Sequence, residues 1–384
     1  MYLLKLVLRN TFRRKLRTGL TMLGLAVALL AFGLLSTVVG AWYAAAEHAP
    51  PTRLVTRNAI SLAFPLPLAY RDRIRAVDGV RAVSHATWFG GIYQDPKNFF
   101  AQFAIDPAGY LAMYPEFVVK PDELRAFLHD RKGAIIGRKL AHTYGLKIGD
   151  NLPLQGTVFP GRWTFTVRAI YDGAEAGTDT SQMLFQWDYL NETMKARTQG
   201  HADQVGVFLV DIEDASQAAA VSRAIDAVFA NSLAETLTET EKAFHLSFVA
   251  MTEAIVVAIR LVSFVVIFII LAVMANTMAM TARERLSEYA TLKALGFGAG
   301  FLAALILGES LAISTIGALV GVSSTFPVAK VFAAQMGTLF PRFQVSTATV
   351  ALQGACALAV GIGASLLPVR RALTVRIAEG LRAI

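Results

Sequence analysis

The sequence predicts a membrane α-helical fold: four transmembrane helices, with an α+β extracytoplasmic domain inserted between the first and second. Three observations predict it. Of 384 residues, 55% are hydrophobic and only 17% charged, where soluble domains carry about 25% charged residues. Four uncharged runs, 19–46, 261–280, 310–329 and 343–369, reach the roughly 20 residues a helix needs to cross the bilayer core. Charge is also segregated. Residues 47–253 hold 20 Lys+Arg against 24 Asp+Glu, while the remainder carries a net +12. The overall +8 therefore reflects membrane topology and anionic lipid, not nucleic acid.

Residues 1–18 read as a cytoplasmic amphipathic lead-in. Leu3, Leu4, Leu6, Val7, Leu8, Phe12 and Leu16 alternate at helical spacing with Lys5, Arg9, Arg13, Arg14, Lys15 and Arg17. Such a segment lies along the headgroups with its cations toward phosphate, and equally serves as a basic topogenic flank. Transmembrane helix 1 is expected at 19–42. Ala44-Ala45-Ala46 resembles a signal cleavage site, but the apolar run far exceeds the roughly 7–15 residues of a signal peptide, which predicts an uncleaved anchor.

The extracytoplasmic domain spans 43–251. Pro65 and Pro67 open a helix expected at 68–77, ended by Asp78-Gly79, since Pro suits a helix start. Strands are expected at 80–86, 99–105 and 205–212, then a helix at 218–229 capped by Asp214 or Ser216. That order predicts a split βαβ sandwich. Short strands at 134–136, 151–154, 163–170 and 182–185, with a helix at 139–144 ended by Gly145, predict an inserted, mainly β lobe at about 116–200. Trp88, Phe89, Phe99, Phe100 and Phe103 are either strand core or the lining of a hydrophobic path. Residues 233–251 read as helix running into the second span, a carrier of motion or a plain connector.

Transmembrane helix 2 is expected at 252–280, with Arg260 snorkelling near its outer end. A cytoplasmic segment at 281–297 follows, helical until Gly296. It carries Arg283, Glu284, Arg285, Glu288 and Lys293, and is either an ordinary charged loop or a helix that docks on a cytoplasmic partner. Transmembrane helix 3 is expected at 298–326. It contains Glu309, and an ionisable group among apolar runs is a functional candidate by default, unless it sits at the interface or satisfies a helix break at Gly308. An outer loop at 327–344, transmembrane helix 4 at 345–369 and a cytoplasmic tail at 370–384 complete the chain. Thirteen basic and three acidic residues flank the spans on the side holding the lead-in, the 281–297 segment and the tail. The positive-inside rule places both termini in the cytoplasm.

Several chemistries are excluded. The single Cys356 allows no disulfide framework and no multi-cysteine metal site. No G-x-x-x-x-G-K-[ST] is present, so the chain has no phosphate-cradling loop of its own; Gly296-Phe297-Gly298-Ala299-Gly300 lacks the dinucleotide spacing and reads as a break between helices. No H-E-x-x-H or G-x-S-x-G occurs. His48, His85, His129, His142, His201 and His245 show no metal-like spacing. No catalytic, cofactor or metal residue is nominated.

One span, a large outer domain and three clustered spans is a layout that resembles the MacB/FtsX/LolC-type ABC transporter permeases of the type VII, mechanotransmission class, without a fused ATPase domain. Local patterns carry the resemblance: the lead-in around Leu8-Arg9-Asn10-Thr11-Phe12-Arg13-Arg14-Lys15; the stretch from Asn276-Thr277-Met278 through Arg283-Glu284-Arg285, Glu288 and Lys293-Ala294-Leu295-Gly296; Leu307-Gly308-Glu309-Ser310 with Gly317 and Gly321; Pro368-Val369-Arg370-Arg371-Ala372 with Glu379-Gly380-Leu381-Arg382; and, outside, Ile135-Ile136-Gly137 with Leu140-Ala141 and Gly145 to Asp150.

The resemblance implies a non-catalytic permease subunit in the bacterial inner membrane with its large domain in the periplasm. It pairs with a second permease copy, identical or related, and with two copies of a separate ATPase that holds ATP and Mg. Arg283, Glu284, Arg285, Glu288 and Lys293 would couple to that ATPase, and Glu309 would serve permease structure or gating. The substrate would be a lipoprotein, lipid-like molecule, toxin or drug, with a periplasmic adaptor and outer-membrane channel as partners in a Gram-negative host. The alternative is an FtsX-like regulator that activates a periplasmic cell-wall hydrolase. A membrane enzyme or sensor is the remote third reading.

Overall fold

The apolar runs fold as four long helices in a computed structural model that describes residues 2–47, 49–175, 178–197, 202–335 and 343–374. A short helix α1 (Tyr2–Thr11) precedes α2 (Lys15–Glu47), the first span. The outer domain then comprises β1 (Arg53–Asn58), β2 (Leu66–Pro67), α3 (Tyr70–Arg75), β3 (Val80–Trp88), β4 (Gly91–Ile92), β5 (Gln102–Ile105), α4 (Pro107–Met113), β6 (Phe117–Val118), α5 (Pro121–His129), β7 (Gly133–Gly137), α6 (Arg138–Tyr144), β8 (Asn151–Gly156), β9 (Gly161–Gly173), β10 (Met183–Gln186), α7 (Trp187–Ala196), β11 (Gln204–Val205), β12 (Val207–Ile212), α8 (Ala218–Val228), β13 (Thr236–Thr240) and α9 (Glu241–Met251). The remaining helices are α10 (Glu253–Glu284), α11 (Leu286–Ala294), α12 (Ala299–Gln335) and α13 (Thr347–Thr374). The residues divide into two compact units, one of membrane helices and one spanning Ala41–Met251.

The outer unit is built on one mixed sheet in the order β13-β1-β12-β3-β5-β10-β7-β9-β8-β4. The segment expected as a separate inserted lobe does not form its own sheet. Strand β10 pairs in parallel with β5 and antiparallel with β7, so β7 to β10 extend the same ladder. The reason is burial: β7 and β10 are buried at every position and need cover on both faces. Phe89, fully buried, meets Trp163, Phe165 and Phe185 edge-on at centroid distances of 5.3–5.9 Å, a geometry rings favour.

Other expectations shift locally. Leu66–Pro67 pairs with β11 instead of opening a helix, and α3 starts only at Tyr70. The strand expected at 205–212 is interrupted at Gly206, where an added Cβ would stand 3.1 Å from the Ala86 carbonyl. Asp214 caps a 3-10 turn ahead of α8, accepting from Ser216 N at 2.8 Å. Gly145 ends α6 at φ +65°, a left-handed turn that suits glycine. Residues 233–251 are not one helix: β13 occupies the first part, pinned by Asp226, which accepts from the Thr236 and Thr238 hydroxyls at 2.9 and 2.7 Å. Thr252 then separates α9 from α10.

The membrane unit packs through small residues, as helices in lipid do. Gly317 and Gly321 of α12 face α2. An added Cβ would stand 3.1 Å from the Met22 carbonyl at Gly317 and 2.7 Å from the Ala26 carbonyl at Gly321. Gln353 of α13 is fully buried and donates to the Leu29 carbonyl at 2.7 Å and to Thr325 Oγ1 at 3.0 Å, joining three helices. Ser310 donates to the Gly361 carbonyl at 2.6 Å. Helix α12 runs on to Gln335, so the first half of the outer loop expected at 327–344 is helix instead. Glu379, Gly380, Leu381 and Arg382 of the tail, His48, His201 and residues 336–342 of that loop lie outside the described residues.

Candidate functional site

The segment expected at 281–297 is two helices meeting at Arg285. Helix α10 continues past the apolar core to Glu284; α11 then runs to Ala294, with Leu295 as its cap and Gly296 at φ +90°. Leucine, alanine and lysine sustain α11, and the glycine turn ends it.

The bend brings most of the nominated residues into one charge network within the membrane unit. Arg285, its side chain 12% exposed, donates from Nη1 to both Glu309 oxygens at 2.8 and 3.0 Å, and from Nε to Glu288 at 2.8 Å. Glu309 is buried inside the uninterrupted helix α12. There is no break at Gly308 for it to satisfy; Arg285 is its partner. A buried carboxylate so paired is what a low-dielectric site requires.

The lead-in closes the network from the other side. Arg17 grips Glu284 with two bonds, 2.9 and 3.0 Å. Arg14 reaches the same carboxylate at 2.7 Å, and Arg13 pairs with Glu288. Burial alone would raise the Glu288 carboxyl, but hydrogen bonds from Arg285 and Arg13 outweigh it and hold it below its ordinary value. The lead-in is thus more than a headgroup-lying strip: Val7 of α1 is buried against Gly308 of α12, where an added Cβ would meet Val7 Cγ2 at 3.0 Å. A polar cavity of about 200 Å³ lies beneath, lined among others by Thr11, Thr18, Thr21, Thr277 and Thr281.

Two nominated residues stand apart. Arg283 is exposed and makes no hydrogen bond or ion pair among the described residues. Lys293 donates to the Leu373 carbonyl at 2.9 Å, tying α11 to α13. The members of the network not nominated from sequence are Arg13, Arg14 and Arg17. Their signal was a basic flank with no carboxylate of its own beside an acidic segment elsewhere.

In the outer unit, Phe89 and Phe100 are core, whereas Trp88 and Phe99 are exposed, with rings 6.0 Å apart. Among the described residues no three His, Cys, Asp or Glu side chains gather as metal ligands would.

The model of the MacB-like periplasmic core domain matches residues 18–228, more than half of the chain, and that of the FtsX-like permease C-terminal matches 260–377. The chain belongs to the MacB/FtsX/LolC-type ABC transporter permeases. Solved structures similar to it include the extracellular domain of the noncanonic ABC-type transporter YknZ from Gram-positive bacteria, at 14% identity and a TM-score of 0.36, covering 49% of this chain and 99% of that one. A permease-protein domain from Porphyromonas gingivalis matches at 13% identity and a TM-score of 0.35, covering 50% and 92%. No curated protein matches.

Proposed function

We propose that the chain is the permease subunit of an ABC transporter in which a separate ATPase, binding ATP and Mg, drives a conformational change of the periplasmic domain that exports or extracts a substrate. The observation carrying this reading is the charge network at Arg285. It fastens the end of α10, the start of α11, the lead-in and Glu309 of α12 into one piece, so force applied to the coupling segment reaches three helices together. Coupling of this kind needs two conformations that nucleotide binding biases differently.

In this assembly the chain pairs with a second permease copy, lies in the inner membrane with both termini cytoplasmic, and contributes no catalytic group. Arg283, exposed on the coupling segment, is the first contact for an acidic groove on the ATPase. Lipoproteins, lipid-like molecules, toxins and drugs are the substrate classes, with an adaptor and outer-membrane channel beyond. The match of the outer domain to the MacB-like core favours export over an FtsX-like control of a cell-wall hydrolase.

The test is purification of the tagged chain from its native membrane in mild detergent, with mass spectrometry of what accompanies it. A stoichiometric ATPase carrying a phosphate-binding loop is expected. Its absence in several mild detergents would remove the coupling reading. A co-purifying hydrolase without adaptor would move the reading to regulation.

A further inference from the structure

Both connections between the outer sheet and the membrane spans meet at one buried ion pair. Strand β1 begins at Arg53, six residues after α2 ends at Glu47; α9 begins at Glu241 and leads, across Thr252, into α10. Strands β1 and β13 pair antiparallel, and their last rung is Leu54 against Thr240. The next positions along are Arg53 and Glu241. Where the backbone ladder stops and the helix starts, side chains take over the connection.

The geometry is fully committed. Arg53 Nε donates to Glu241 Oε2 at 2.7 Å, Nη1 to the Met113 carbonyl at 2.8 Å and Nη2 to Glu116 at 2.7 Å. The guanidinium lies 3.9 Å from the Tyr114 ring centroid, and the Tyr114 hydroxyl donates to the other Glu241 oxygen at 2.8 Å. His245 Nε2, one turn along α9, stands 3.9 Å from that oxygen. The Arg53 and Glu241 side chains are 6% and 7% exposed. Burial would lower the Arg53 pKa, but its carboxylate partners outweigh that and hold it raised.

Stability alone does not account for these residue types. A buried ion pair typically contributes no more than a well-packed apolar pair of the same volume. What the planar arginine fork adds is direction: it fixes the carboxylate, and with it the first turn of the helix, in one orientation.

We propose that Arg53 is the positioning residue that fastens the root of α9 to the outer sheet, so that a displacement arriving along α9 carries the sheet with it rather than peeling β13 away. This rests on the reading of the chain as an ATP-coupled permease.

The test uses the full chain in lipid nanodiscs with its co-purified ATPase, in a Cys356→Ser background. Spin labels at Gln155 of β8 and Lys242 of α9, both exposed, read the stiffness of the outer unit. Labels at Gln155 and Lys330 of α12 read its travel. In the unaltered pair the first distance stays narrow and the second changes on adding ATP with vanadate. In Arg53→Met/Glu241→Leu, with an unchanged melting temperature, the first distribution broadens and the nucleotide-dependent change in the second is at least halved. Should that variant not fold, Arg53→Lys, which keeps the charge but not the fork, decides the matter by the same readings. A folded variant with unaltered behaviour in both distances overturns the role of Arg53. No nucleotide-dependent travel in the unaltered protein overturns the coupled-permease reading itself, whatever Arg53 does.

Discussion

His85 is the least comfortable side chain in the outer domain. It is buried on β3, edge-on to Trp187 at 5.0 Å, and neither ring nitrogen finds a hydrogen-bond partner among the described residues. Burial pushes its pKa down to about 4, against an upward pull from Asp106 and with a smaller downward push from Arg71. The unfolded imidazole takes its proton near 6.5 and the folded one only near 4. Between those values the unfolded state binds more protons, so stability rises with pH there. Acidification through that window should cost up to about 3 kcal/mol, and His85→Phe should remove that part of the dependence. Melting curves of both proteins from pH 7 to pH 4 test it; parallel curves would place the acid sensitivity elsewhere. Gly137 gives a second prediction at this scale. An added Cβ would stand 2.0 Å from the Thr180 carbonyl, and backbone cannot yield as a flexible side chain does. Gly137→Ala should destabilise the outer domain by about 3 kcal/mol or more, read as a fall in melting temperature. An unchanged melt would show that the 180 loop is freer than its packing indicates.

Among elements, legibility followed how far each could stand on its own sequence. The four spans were readable because about 20 apolar residues in a row leave a helix few alternatives. Strand β8, buried at every second position, and β9 were readable by alternation. Strand β1 was not: Arg53, Thr56 and Asn58 are all buried, and a strand covered on both faces and carrying polar residues has no period to detect. Strand β13 was hidden for a related reason, its threonines being satisfied by Asp226, a helix residue no local pattern points to. The charge network was beyond reach because Arg17 and Glu284 are 267 positions apart. The residues were named, but their partners were not. Gln353 shows the same limit within the bilayer, its donors reaching α2 and α12. Gln353→Leu should weaken helix association by about 0.6–2 kcal/mol, measured as a lower midpoint in SDS titration of the detergent-solubilised chain. A midpoint equal to that of the unaltered chain would mean the amide contributes geometry but no net energy.

At the scale of the whole molecule, the proposed function gives the 281–297 segment two roles on neighbouring side chains, and substitution should separate them. Arg285 faces inward. Removing it strands Glu309 in a buried site, and breaking one side of such a pair costs about 3–5 kcal/mol; Arg285→Met should therefore lower the melting temperature of the membrane unit. Arg285→Met/Glu309→Met, which removes both charges, should recover much of that loss. Arg283 faces outward and holds nothing together, so Arg283→Glu should leave insertion and melting unchanged. If the segment docks on an ATPase, the same charge reversal should reduce co-purification of that ATPase and the outer-domain response to ATP, and Arg283→Glu/Glu288→Ala should deepen the loss. The two variants thus differ in two readings: Arg285→Met melts early and, its bonds to Glu288 and Glu309 broken, passes on less of the ATP response while still binding the ATPase, whereas Arg283→Glu melts normally and loses ATPase binding. A stable Arg283→Glu protein that still binds and responds to its ATPase would move the docking surface off this face of the segment. The docking surface would then lie on the lead-in: Arg13 and Arg14 have side chains more than half exposed even while paired with Glu288 and Glu284.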